Sequence, residues 1–181
     1  SLTVFNHRYD NPYRSVSGLV IDGNIFRGEC QTSLGNYPYC DEMRHGVFSV
    51  TKSLGAMLSL LWLAQKYGGG IFDYKIRDYL DITASHAGWE QVTFADALNM
   101  VTGVGDKSHS KLSTDNDEDD LSFFYRFSEN KRSLARKLEM VFSGANYPWE
   151  PGEVYRYRTV DTFVLAAAMD SLLKRREGPS A

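Results

Sequence analysis

The chain has 181 residues, 43% hydrophobic and 13% aromatic, which is enough apolar material for a buried core. A formal charge of −3 gives no electrostatic basis for binding nucleic acid or an anionic membrane, and the longest apolar run, residues 56–64, is too short to span a bilayer. His7, His45, His86 and His109 are scattered without metal-ligand spacing and no Cys-x-x-Cys accompanies Cys30 and Cys40, so neither a metal nor another cofactor is expected; the two cysteines are close enough in sequence to pair if the intervening loop folds back, with two unpaired thiols the preferred expectation.

From residue 15 to residue 32 the chain alternates as strands do, and Asp22-Gly23-Asn24 between two apolar runs predicts a hairpin turn. Residues 33–46, with Gly35, Asn36, Pro38 and Asp41, read as a loop. Residues 49–67 predict a helix that is apolar on most sides, and is therefore expected to be central, with Gly68-Gly69-Gly70 stopping it. A connector over 71–80 leads to a helix over 92–101, capped at Thr93 with Asp96 at the capping-box distance, although Glu or Gln is the better partner there. Residues 106–120 are polar and acidic. A calcium loop would need Gly and Glu where Asp120 and Arg126 stand, so a solvated loop is expected. Apolar periodicity predicts a further helix over 133–142, and a turn-rich stretch over 146–157 approaches a last helix over 161–174. The expected organisation is a mixed α/β (α+β) fold, with N-terminal strands in 1–46 and a helical region in 47–181.

Ser-x-x-Lys occurs four times, as Ser49/Lys52, Ser108/Lys111, Ser128/Lys131 and Ser171/Lys174. The second and third lie in wet, polar sequence, and Lys174 belongs to a run of charges that suits a helix C-terminus. Only Ser49 and Lys52 open a long apolar helix, where a three-residue spacing puts both side chains on one face. A serine hydroxyl becomes a nucleophile when a nearby base takes its proton, and a desolvated lysine can be that base. Free N–H groups at a helix N-terminus would suit the resulting oxyanion. His45, four residues before Ser49, reads as a structural residue.

The hairpin, Phe48-Ser49-Val50-Thr51-Lys52, the stretch from Val92-Thr93-Phe94 to Thr102-Gly103-Val104, and Pro151-Gly152 ahead of Tyr155-Arg156-Tyr157 stand in one order. Together they resemble the serine β-lactamase and penicillin-binding-protein-like superfamily. The similarity is to its class C-like branch, which also holds esterases and the aminohexanoate-dimer hydrolases. The run Tyr157-Arg158-Thr159-Val160-Asp161 looks more like the aminohexanoate-dimer group than like true β-lactamases.

By that resemblance the fold would be β-lactamase/transpeptidase-like, and Ser49 would be the acyl-forming nucleophile with Lys52 as its proton partner. Tyr157 would carry the leaving-group proton, with Tyr155 as its rival, and a neighbouring cation would favour the phenolate. Thr159 would meet substrate where the family's second motif has Asn. The implied substrate is a small amide or ester; a β-lactam or D-Ala-D-Ala peptide is the alternative within the class, and a catalytically inactive binding protein the alternative outside it. The third family motif, a Lys-Thr-Gly or His-x-Gly triplet on a later strand, is absent. The resemblance covers residues 15–176 and only the front half of a family member, so the chain is expected to be a fragment whose remainder comes from a second chain or is lost. Nothing in the sequence fixes a compartment.

Overall fold

The structure, a computed structural model, describes residues 16–44, 46–105 and 132–180. The chain divides into two compact units between Val47 and Phe48.

In the first unit, β1 (Gly18–Ile21) and β2 (Asn24–Arg27) pair antiparallel with Ile21 opposite Asn24. Asp22 and Gly23 make the turn, and both have positive φ, 51° and 78°. That pair of angles is what a two-residue hairpin needs to match strand twist, and Asp-Gly adopts it readily. A second, shorter hairpin follows, β3 (Gln31–Thr32), at the end of the stretch expected to be strand, with β4 (Gly35–Asn36), inside the stretch expected to be loop. The cysteines depart from expectation. Cys30 and Cys40 form a disulfide, with Cα atoms 5.5 Å apart, because the β3–β4 hairpin folds the intervening residues back on themselves. Arg27 and Asp41 reinforce the closure with a 2.8 Å ion pair. Two-stranded hairpins are marginal on their own, so a covalent closure of this kind contributes much of what order the unit has.

The second unit is mainly helical. Val50 and Thr51 begin a helix, Lys52–Met57 forms a π-helical turn, and α1 (Leu58–Tyr67) continues it. Gly68, at φ 96°, ends it and donates its N–H to the Ala64 carbonyl at 2.9 Å. Short 3₁₀ turns at Gly69–Asp73, Ile76–Asp78 and Ala87–Trp89 lead to α2 (Phe94–Asn99). Strand β5 (Val104–Gly105) pairs antiparallel with β6 (Ala145–Asn146), which follows α3 (Leu134–Phe142). The last element, α4 (Thr159–Glu177), is the longest.

The core forms where these helices meet. Leu60 and Leu63 from α1, Phe94 and Ala97 from α2, Phe142 from α3, and Val160, Val164, Leu165, Ala168 and Leu172 from α4 are buried with Ile71, Ile76 and Trp89. Val160, Val164, Ala168 and Leu172 recur every four residues along α4, and Asp161, Thr162, Leu165, Ala167 and Met169 beside them are buried too, so the helix is covered over a broad face. The assembly is an α+β arrangement of helices with small antiparallel sheets.

The motif helix is not central as expected. Leu60 and Leu63 are buried, but Leu54, Leu58, Leu61 and Trp62 each remain about half exposed. Its apolar character runs round the helix, while the neighbours in this unit cover one side only. Among the described residues no helix is long and apolar enough to cross a membrane.

Candidate functional site

Ser49 stands at the turn that starts the motif helix. Phe48, just before it, has φ 43°, the left-handed region that bulky side chains seldom enter. The turn is held by Thr51, whose N–H and hydroxyl both donate to the Phe48 carbonyl, at 3.0 and 2.6 Å. Lys52 N–H donates to the Ser49 carbonyl at 3.0 Å, so Ser49 and Lys52 are one turn apart on the same face. Lys52 begins the π-helical turn, an irregularity that occurs often at functional sites.

The side chains converge. Lys52 Nζ lies 3.1 Å from Ser49 Oγ and donates to the Tyr157 hydroxyl at 2.8 Å. The Tyr157 hydroxyl in turn donates to Ser49 Oγ. Lys52 Nζ is also 4.6 Å from the centre of the Tyr157 ring, within cation–π range. The triangle brings Tyr157 to two residues that lie 105 or more positions earlier in sequence, with Lys52 and Tyr157 half-buried and Ser49 exposed.

Tyr157 reaches this point on an extended segment ahead of α4. Arg156 and Arg158 on either side are buried, and Tyr157 turns the other way. It is thus Tyr157, and not the rival Tyr155, whose phenol meets the serine and lysine; Tyr155 is 41% exposed. Thr159 is half-buried at the first position of α4, where its carbonyl accepts the Thr162 hydroxyl at 2.9 Å.

The remaining candidates separate cleanly. Ser171 and Lys174 do not pair: the serine hydroxyl donates to the Tyr79 carbonyl at 2.7 Å, and the lysine to Asp170 at 2.7 Å. Ser108/Lys111, Ser128/Lys131, His7, His45, His109 and the acidic stretch lie outside the described residues. His86 is structural. Its Nδ1 accepts the Gly88 N–H at 3.1 Å, which leaves Nε2–H to donate to the Gly144 carbonyl at 2.8 Å. Among the described residues no cluster of His, Cys, Asp and Glu could hold a metal ion.

Two features lie outside the sequence reading. One is the Thr51 clamp on the Phe48 carbonyl. The other is a buried group made of Arg158, Asp161 and Thr102, in which Arg158 Nη1 stands 2.9 Å from Asp161 Oδ1 as an ion pair. The signal for the second was present in the sequence as two opposite charges three residues apart at the start of an apolar helix.

A hydroxyl, an amine and a phenol in mutual hydrogen-bond contact are groups of the kind that nucleophilic catalysis uses, one to attack and two to carry protons. The chain matches no protein-family model, no curated protein and no solved structure.

Proposed function

We propose that this chain is a serine hydrolase of the β-lactamase-like class, acting on a small amide or ester of the aminohexanoate-dimer or ester type. The observation that carries the proposal is the contact of Ser49 Oγ with both Lys52 Nζ, at 3.1 Å, and the Tyr157 hydroxyl. Ser49 Oγ attacks the substrate carbonyl while Lys52 takes the hydroxyl proton. The tetrahedral intermediate collapses as Tyr157 delivers a proton to the leaving nitrogen or oxygen, and water then releases the acyl group from Ser49. Thr159, two residues beyond Tyr157, is the proposed substrate contact.

The proposal includes a second polypeptide that supplies the strand with the third motif and a further oxyanion N–H. The half-exposed apolar side chains of the motif helix, Leu54, Leu58, Leu61 and Trp62, favour such a covering partner.

Intact mass spectrometry of the native sample, before and after a fluorophosphonate, tests both parts. The expected result is one adduct on this chain, absent in Ser49→Ala, with a second polypeptide in the untreated spectrum. An adduct with penicillin as well would move the substrate to the β-lactam and D-Ala-D-Ala class. No adduct with the second polypeptide present, or one that persists in Ser49→Ala, overturns the hydrolase reading in favour of a binding protein.

A further inference from the structure

We propose that Arg158 is a positioning residue: through a buried ion pair with Asp161 and bonds to the Thr102–Val104 segment, it holds the Tyr157 phenol against Ser49 and Lys52. The proposal takes Tyr157 in the role given above and rests on that reading.

The backbone at Arg158 is extended, at φ −138° and ψ 121°, so side chains on either side of Tyr157 face away from it. Arg156 and Arg158 are each only 4% exposed, which fixes Tyr157 on the opposite face. The arginines are anchored to one neighbouring stretch. Arg156 N–H donates to the Met100 carbonyl at 2.9 Å, and Arg158 N–H lies 3.4 Å from Met100 Sδ. The Arg158 guanidinium donates to the Val104 carbonyl and to Thr102 Oγ1 at 3.3 Å. Asp161, fully buried, completes the group: Oδ1 is 2.9 Å from Arg158 Nη1, and Oδ2 accepts the Thr102 hydroxyl at 3.2 Å.

Stability alone is a poor reason for this group. Desolvating two charges offsets most of their attraction, and an apolar pair of the same volume commonly holds a fold as well. Charges with several directional partners restrict the segment to a single arrangement, and the residue inside that segment is Tyr157.

The test uses the full chain and reads geometry directly. The probe is the nuclear Overhauser cross-peak between the Lys52 side-chain methylene and the Tyr157 ring, assigned with Tyr157→Phe. The main variant is Arg158→Gln with Asp161→Asn, which neutralises both charges and leaves none buried alone. An unsupported site loosens by about 1 Å, and the cross-peak falls with the sixth power of distance, so a drop of at least about threefold is expected. Thr102→Val removes only the hydroxyl contacts, and a drop of about twofold is expected from it; it decides the matter if the paired variant does not fold. Wild-type intensity in a folded paired variant, or in Thr102→Val where the pair does not fold, overturns the proposal.

Fluorophosphonate labelling of Ser49 on the same samples separates the two readings. A cross-peak that weakens in a chain that never labels keeps the positioning role and removes the hydrolase.

Discussion

Phe48 carries a conformation that a phenylalanine does not choose. Its φ of 43° lies in the left-handed region, and 89% of the residue is exposed, so no packing of the ring compensates for it. The compensation comes from Thr51, which makes two hydrogen bonds to the Phe48 carbonyl and so stabilises the turn that delivers Ser49. A left-handed L-residue costs about 1–2 kcal/mol, while glycine enters the region freely at an entropic cost of about 0.5–1 kcal/mol. Phe48→Gly is therefore expected to leave stability unchanged or raise it by up to about 1 kcal/mol in urea unfolding. Phe48→Val, β-branched, is expected to lose about 1–2 kcal/mol. Equal stability of the two variants would show that the turn relaxes when Phe48 is replaced. Strain beside Ser49 is one way a fold fixes an exposed hydroxyl, and the pair of variants measures that strain apart from the proposed role of the hydroxyl.

At the scale of elements, α2 shows how much a few side chains decide. Thr93 Oγ1 accepts the Asp96 N–H at 3.1 Å, and the Asp96 carboxylate accepts the Thr93 N–H at 2.9 Å and its hydroxyl at 2.7 Å. Aspartate thus completes the capping box despite being one methylene shorter than the usual glutamate. The helix has only six residues, too few to hold itself by propensity, so the cap and the burial of Phe94 and Ala97 keep it in place. Thr93→Ala is expected to cost about 1 kcal/mol by urea unfolding, with early exchange of the α2 amides. An unchanged midpoint would mean that packing alone holds the element. This cap was legible from spacing, as were the Asp22-Gly23 hairpin turn, the Gly68 stop and the Ser49/Lys52 face, because each depends on residues within four positions of one another. The disulfide was legible only as an alternative, open if the loop between the cysteines folds back. It depends on the β3–β4 hairpin, whose two-residue strands leave no alternating pattern to read. The exposure of the motif helix was missed for a related reason: an apolar sequence states what a helix could bury, and the neighbours decide what it does bury. Tyr157 lay between these cases. Its place after Pro151-Gly152 pointed to it, but its separation from Arg156 and Arg158 came from an alternation that only the burial of the two arginines makes visible.

At the scale of the whole chain, closure is achieved differently in each unit. The first relies on the Cys30–Cys40 bond. In the second, the last residue of α4 returns to the end of α1: the Glu177 carboxylate accepts hydrogen bonds from Lys66 Nζ and the Tyr67 hydroxyl, 110 or more residues away. Lys66 also lies 5.0 Å from the centre of the Trp62 ring, and the Arg176 guanidinium 5.6 Å from that of Tyr67. The hydrogen bond from Lys66, then that from Tyr67, holds the Glu177 carboxyl below its ordinary value of 4.5. The bond to Glu177 raises Lys66 above its ordinary 10.5, and the bond to Glu177 likewise raises Tyr67 above 10.0. The signs give two windows. A carboxylate lowered in the folded state contributes stability that is present above pH 4.5 and lost as pH falls through the folded value. A lysine raised in the folded state contributes stability that is present below pH 10.5 and lost as pH rises through the folded value. The tyrosine adds to the alkaline loss from pH 10.0 upward, since the folded state resists its ionisation. These groups are on the surface, so the effect is modest and screened by salt. Glu177→Gln is therefore expected to flatten the melting temperature against pH on both flanks, below pH 4.5 and above pH 10.0, while leaving the neutral plateau nearly level. Adding salt to about 1 M, where the Debye length is about 3 Å, is expected to bring the wild type only part of the way to the variant, since it screens the attraction of the charges and leaves the hydrogen bonds in place. Identical flanks for the two proteins at low salt would mean that the helix ends are held by the apolar contacts beneath them, and that Glu177 merely decorates the seam.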